Sequence, residues 1–258
     1  MILKMSITII CAGIYMQAKA QVSIQTDRPD QTECPFIVPI GYIQFETGTS
    51  VELITKENKI YSHPSLLIKY GISKHFELRL ITESVSEKNY TKISRGFTPL
   101  TLGFKVNLWK EKGLLPLTSF IGHLSIGSVA SPKYITTYAA PSFRFTMQYT
   151  LSKKISLGYN IGAEWNGETP EPAFIYTLTT GYSITEKIGS YIEIYGFAPQ
   201  RNIADHRADA GFTYLIGNDF MVDISGGIGI TDNAPKKYLA FGFSCRFNTK
   251  KTGDKKPY

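Results

Sequence analysis

The sequence predicts an all-β chain: a transmembrane antiparallel up-and-down β-barrel of about twelve strands, with an N-terminal segment that plugs or tethers it. Three observations predict this. Long segments alternate apolar and polar residues with period two, as half-exposed strands do. The connections between them alternate short and long. After the first twenty residues no apolar run is long enough to form a membrane-spanning helix.

Residues 1–20 read as a secretory signal peptide. Lys4 supplies the positive start, Met5 to Met16 the short apolar core, and Ala18-Lys19-Ala20 the small-residue cleavage site. Cys11 is a poor lipidation site, because bulky Ile10 precedes it. Removing Lys4 and Lys19 leaves 26 basic residues against 21 acidic, a net charge of +5. Much of that excess sits in residues 248–258, with Lys250, Lys251, Lys255 and Lys256, a basic flexible tail. Export and the absence of a basic folded face exclude nucleic acid as a partner. Two cysteines remain, Cys34 and Cys245, too few for a disulfide scaffold. A bridge between them is disfavoured, since the alternation points Cys245 outward into lipid.

Residues 21–40 come next and carry TDRPDQTECPFIVP, with Asp27, Arg28, Asp30 and Glu33 between Pro29, Pro35 and Pro39. The prolines keep this stretch out of any sheet.

The barrel is expected over 41–247. Its strands run approximately 41–53, 64–71, 75–85, 99–109, 115–126, 138–151, 155–166, 173–184, 189–199, 206–216, 219–230 and 238–247. In the fourth, Leu100, Leu102, Phe104, Val106 and Leu108 oppose Thr101, Gly103, Lys105 and Asn107. In the last, Leu239, Phe241, Phe243, Cys245 and Phe247 oppose Gly242, Ser244 and Arg246. Most are near the 9–11 residues that a tilted strand needs to cross a bilayer, and longer than the mean soluble strand of about 5–6. Connections such as ISK and SKK are short, whereas VSEKNYTKISRGF (the loop 86–98) and IGSVASPKYITT are long. That asymmetry places both termini on the periplasmic side.

In lipid every backbone group must be paired, so the sheet must close. The apolar face then points outward and the polar, glycine-rich face lines the lumen. The lumen charges are Glu46, Glu52, Lys69, Glu77, Arg79, Lys105, Arg144, Glu164, Glu193, Arg207, Asp209, Asp223 and Arg246. Both signs are present, which points to internal ion pairs rather than a single-sign ion-selective pore.

Enzymatic chemistry is not expected. Asp205-His206-Arg207-Ala208-Asp209 is the one suggestive group, but neighbours in a strand point to opposite faces, so Asp205 and His206 cannot cooperate. No metal-ligand spacing and no phosphate loop occurs, so no metal or cofactor is expected. The expected partners are membrane lipids and an unidentified small solute.

TDRPDQTE (Thr26 to Glu33), YIQFETG (42–48), KYGISKHFELRL (69–80), TLGFKVNLW (101–109) and YNIGAEW (159–165) together resemble the MetA-pathway of phenol degradation family, Bacteroidetes-type exported proteins. The resemblance covers nearly all of 21–247. It implies an outer-membrane barrel that moves small aromatic or hydrophobic compounds. It also marks Thr26, Asp27, Arg28, Pro29, Asp30, Gln31, Thr32 and Glu33 as a structural or gating segment. The alternatives are a structural or surface-interaction barrel with a filled lumen, using loop 86–98 as its contact surface, and an outer-membrane hydrolase. Within the barrel reading, Asp27, Arg28 and Asp30 are expected to pair with lumen residues such as Arg246, Lys69 or Glu77.

Overall fold

A computed structural model describes residues 22–250 of the chain. The signal-peptide reading of 1–20 and most of the basic tail lie outside the described residues.

The described residues form thirteen strands: β1 (Tyr42–Leu53), β2 (Asn58–Ser73), β3 (Phe76–Asn89), β4 (Lys92–Phe97), β5 (Leu100–Trp109), β6 (Leu117–Ile126), β7 (Ala140–Thr150), β8 (Ile155–Glu164), β9 (Ala173–Ser183), β10 (Ile188–Pro199), β11 (Asp205–Ile216), β12 (Phe220–Gly229) and β13 (Lys237–Asn248). Each is antiparallel to its neighbours, and β1 pairs with both β2 and β13, which closes the sheet. The β4 and β5 strands form one stave. Both pair with β3, from Ser84↔Phe97 outward and from Ile81↔Thr101 inward, with a break at Thr98–Pro99 where the register slips by one residue. The closed barrel therefore has twelve staves. No helix among the described residues is long and apolar enough to cross a membrane, so any crossing is made by strands.

The alternation sets the faces. Leu78, Leu102, Phe104, Ile161, Leu178, Ile192, Ile194, Phe212, Ile224, Leu239 and Phe241 are large, apolar and exposed on the outside. Gln44, Glu46, Lys69, Glu77, Lys105, Ser119, Asn160 and Ser244 are polar and at most 1% exposed within. A water-soluble barrel shows the reverse arrangement. Only lipid around the wall reconciles the two sets with the cost of exposing hydrocarbon and burying charge.

Three expectations need correction. Residues 86–98 are no long loop. The chain continues β3 to Asn89, turns over two residues at Tyr90–Thr91, and returns as β4, so this stretch is a hairpin that extends the wall. The second strand starts at Asn58 rather than at 64, which shortens the preceding connection. Alternating residues on both arms of each hairpin continue to pair, and this outweighs the polar composition that suggests a loop. Cys245 keeps its outward parity but is buried, standing between its ladder partners Phe45 and Phe220. Both cysteines are free, and Cys34 lies inside the lumen.

The longest connections, such as 127–139, stand at the end opposite both termini, and that end is taken as the outer one.

Candidate functional site

The stretch 22–41 pairs with no strand of the wall. It leaves the periplasmic end, where Ile24 N–H donates to the carbonyl of Asn218, rises into the lumen, and descends to Val38, whose N–H donates to Glu77. Three glycines let the backbone and side chains approach the wall. A methyl group on Gly71 would lie 2.2 Å from the Val38 carbonyl oxygen. The cross-strand pair Gly48 and Gly242 makes room for the Arg28 guanidinium, which a Cβ on either glycine would meet at 2.4 Å.

Asp27 is the hub. Its Oδ2 accepts from Lys69 Nζ and Arg79 Nη1, each at 2.9 Å, and its Oδ1 accepts from Lys105 Nζ at 2.8 Å. Its own N–H donates to Glu46 at 2.9 Å, and Cys34 N–H donates back to Oδ1 at 3.0 Å. Glu46 also pairs with Lys69, Glu77 pairs with Arg79 at 3.1 Å, and Glu33 pairs with Arg79 Nη2 at 2.6 Å. Four carboxylates thus face Lys69, Arg79, Lys105 and the more distant Arg144, which approaches Glu33 at 4.0 Å. Burial alone would raise the Asp27 carboxyl, but Lys105, Lys69 and Arg79 outweigh it and hold it well below its ordinary range. Glu33 is likewise lowered, burial being outweighed by Arg79.

The rest of the segment is held mainly through its backbone. Gln31 and Thr32 N–H groups each donate to Glu193 at 2.7 Å, and the Thr32 hydroxyl bonds Thr177 and Glu193. Asn160 grips Glu33 twice, accepting its N–H at 2.8 Å and donating to its carbonyl at 3.1 Å. The Pro35 carbonyl accepts from Asn107 and Ser119, and the Cys34 carbonyl from Lys105. Arg28 reaches Asp223 at 3.1 Å, and Arg144 donates to the Gln31 carbonyl at 3.1 Å. The Thr26 hydroxyl donates to the Arg28 carbonyl at 2.7 Å. Among the described residues Asp30 has no basic partner. Burial pushes its carboxyl up to about 8, with Asp209 and Asp27 adding to the rise. Burial pushes the Cys34 thiol up to about 12, far from a reactive thiolate.

Of the predicted pairings, Asp27 with Lys69 is present. Arg246 instead pairs with Asp219 at 2.8 Å and donates to the Val22 carbonyl, while Glu77 meets the Val38 N–H. Four predicted lumen charges, Glu52, Glu164, Arg207 and Asp209, stand apart from the segment's hydrogen bonds. Arg207 pairs with Glu52 and Asp205, Asp209 accepts from Tyr238, and Glu164 lies among the outer loops. His206 faces outward and bonds Tyr176 at 2.7 Å through Nδ1, while Asp205 turns inward to Arg207. The neutral anchors Gln44, Asn107, Ser119, Asn160 and Thr177 do not stand out among the charges. Their only signal in the sequence is lumen parity.

The segment divides the lumen. Toward the outer end lies a cavity of about 360 Å³ floored by Arg28–Gln31. Toward the periplasm lies one of about 320 Å³ lined by Ser23–Thr26 and the β9–β10 turn.

Residues 26–247 match the family described as "Putative MetA-pathway of phenol degradation". The chain belongs to that family. The matched region starts at the first residue of the TDRPDQTE string and ends at Phe247 near the close of β13, so the family signature includes the lumen segment as well as the wall. The fold is similar to the COG4313 outer membrane channel from Pseudomonas putida F1, at 11% identity and a TM-score of 0.64 over 83% of this chain and 98% of that one. It is also similar to the KdgM porin, at 10% identity and TM-score 0.54, covering 79% and 99%. The NanC porin gives 10% and 0.53, covering 79% and 98%. At such identities these likenesses establish an outer-membrane β-barrel fold. No curated protein matches the sequence.

Proposed function

We propose that this protein is an outer-membrane channel for small solutes, aromatic ones included, whose lumen is closed at rest by residues 22–40. The family's description and the likeness in fold to the COG4313 outer membrane channel support the solute role. The closed state rests on one observation: the segment is bonded to facing walls of the barrel at once. Asp27 engages β2, β3 and β5, Thr32 engages β9 and β10, Glu33 engages β3 and β8, and Arg28 engages β12. A periplasmic tether would need none of these contacts.

The hub is charge-balanced, so the segment is held without leaving a buried uncompensated ion. Removing one member of such a buried pair typically costs about 3–5 kcal/mol. Opening therefore requires the segment to leave as a unit or to shift within the lumen. Deletion of residues 22–38 tests the reading in planar bilayers. The deleted barrel should conduct more than the full chain. Equal conductance would reject the plug, and a deleted barrel impermeable to ions and small solutes would reject the channel.

A further inference from the structure

The outer cavity differs from the hub beneath it. Six charged residues line it: Arg28, Arg207, Asp30, Glu52, Glu83 and Asp209. The two arginines are already committed, Arg28 to Asp223 and Arg207 to Glu52 and Asp205. Among the described residues Asp30, Glu83 and Asp209 have no basic partner, and a fourth carboxyl, Glu193, stands directly across the ladder from Asp209. Like charges opposite one another in a ladder are unfavourable. Nothing in wall stability calls for this excess.

Two buried polar atoms point the same way. Asp209 Oδ1 and Ser225 Oγ have no hydrogen-bond partner among the described residues, although both residues line the cavity and are 8% and 2% exposed. A buried acceptor without a donor is costly, and the neighbouring Tyr238 hydroxyl is already taken by the other oxygen of Asp209, Oδ2. Aromatic rings flank Asp209 on nearby strands. Tyr195, Phe197 and Tyr238 line the cavity, and the guanidinium of Arg207 already lies 5.9 Å from the Tyr195 ring centre and 6.0 Å from that of Phe197. These rings accept a cation. No group of acidic, histidine or cysteine side chains among the described residues is placed to hold a metal ion. The volume of about 360 Å³ falls in the range of small-molecule sites, roughly 300–1,000 Å³.

The geometry points to a binding site for small organic cations in this outer cavity, with protonated amines that carry an aromatic ring as the solute class. The ammonium group supplies the missing donors to Asp209 and Glu83, and the ring lies against the Tyr195 and Tyr238 wall. Carboxylate-bearing solutes are repelled at the same place. This narrows the solute class of the proposed channel and rests on that reading only for its biological meaning, because binding requires no passage.

The test uses the full-length protein in detergent and three phenyl probes of similar size: 2-phenylethylammonium, 2-phenylethanol and phenylacetate. Calorimetric titration should give the ammonium an affinity about tenfold or more above the alcohol, as expected for charge-assisted bonds, with phenylacetate weakest. Asp209→Asn and Glu83→Gln should each weaken the ammonium several-fold while leaving the alcohol unchanged. Equal binding of ammonium and alcohol, tighter binding of phenylacetate, or an undiminished preference in the double variant would overturn the site. The comparison of probes on the unaltered chain does not depend on any variant folding. Solute flux in vesicles separates the two readings: binding without flux keeps the site and removes the channel, and flux without preferential binding does the opposite.

Discussion

Lys105 Nζ lies 2.8 Å from Asp27 Oδ1, and this contact joins the fifth strand of the wall to a residue of the segment that never enters the sheet. Three cations converge on the one carboxylate, so it carries more of the segment's seating than any other side chain.

Asp27→Asn keeps the shape and removes the charge. It leaves Lys69, Arg79 and Lys105 with Glu46, Glu77 and Glu33 alone, and should weaken seating by about 3–5 kcal/mol. Arg28 precedes Pro29 and resists trypsin, so a broad-specificity protease such as proteinase K is the probe: its cleavage within residues 22–40 of the folded barrel should rise, together with conductance. Unchanged protection of this segment would contradict the hub.

Gly71→Ala attacks the segment from the wall. Its new methyl group meets backbone oxygens of Val38 and Pro39, at 2.2 and 2.3 Å, so the chain must move away. The barrel should still insert, while residues 22–40 become accessible to protease. A variant indistinguishable from the parent in both assays would show that the neck of the segment is free to slide.

Seating should also depend on pH through Asp30. Its carboxyl rises to about 8 when the segment is inserted, against an ordinary value of 3.8. The inserted state binds the proton more tightly, so losing that proton opposes insertion: the effect is nil below about pH 4, grows as pH rises from about 4 to 8, and is complete above 8. Asp209, Glu193 and Asp27 are the carboxyl groups that surround it. Conductance should therefore rise between about pH 4 and pH 8 and level off above it, and Asp30→Asn should flatten that rise. A parent profile that is flat between pH 6 and 9 would count against it.

The outer face makes a different demand. Ile192 is 67% exposed midway along β10. Ile192→Arg should destabilise folding into lipid vesicles by about 2–4 kcal/mol, as for cations near the midplane of a barrel. The opposite outcome, no loss of folding stability, would mean that this surface does not face lipid.

Much of this was legible along the chain. The alternation in β5 and β13 assigns Lys105 and Arg246 to the lumen and Leu102 and Phe241 to the outside, because side-chain direction in a strand depends only on parity. The prolines at 29, 35 and 39 keep the motif out of the sheet for an equally local reason. The hairpin at 86–98 was not legible, since its polar alternation resembles a loop until β3 and β4 are seen to pair. Glu193 could be placed in the lumen, but its role in holding the Gln31 and Thr32 amides could not.

The sequence by itself determined the wall: a closed barrel, its two faces, and a charged segment that cannot be a strand. These follow from local sterics, backbone hydrogen bonding and the choice of lipid as solvent. Only the tertiary structure decided that Asp27 meets Lys69, Arg79 and Lys105 while Asp30 meets other acids. Those partners come from strands far apart in the chain, and the curvature of the closed sheet brings them to one point. Parity states which way a side chain faces. It does not state what stands opposite across the lumen, and that difference separates the balanced hub from the acidic cavity above it.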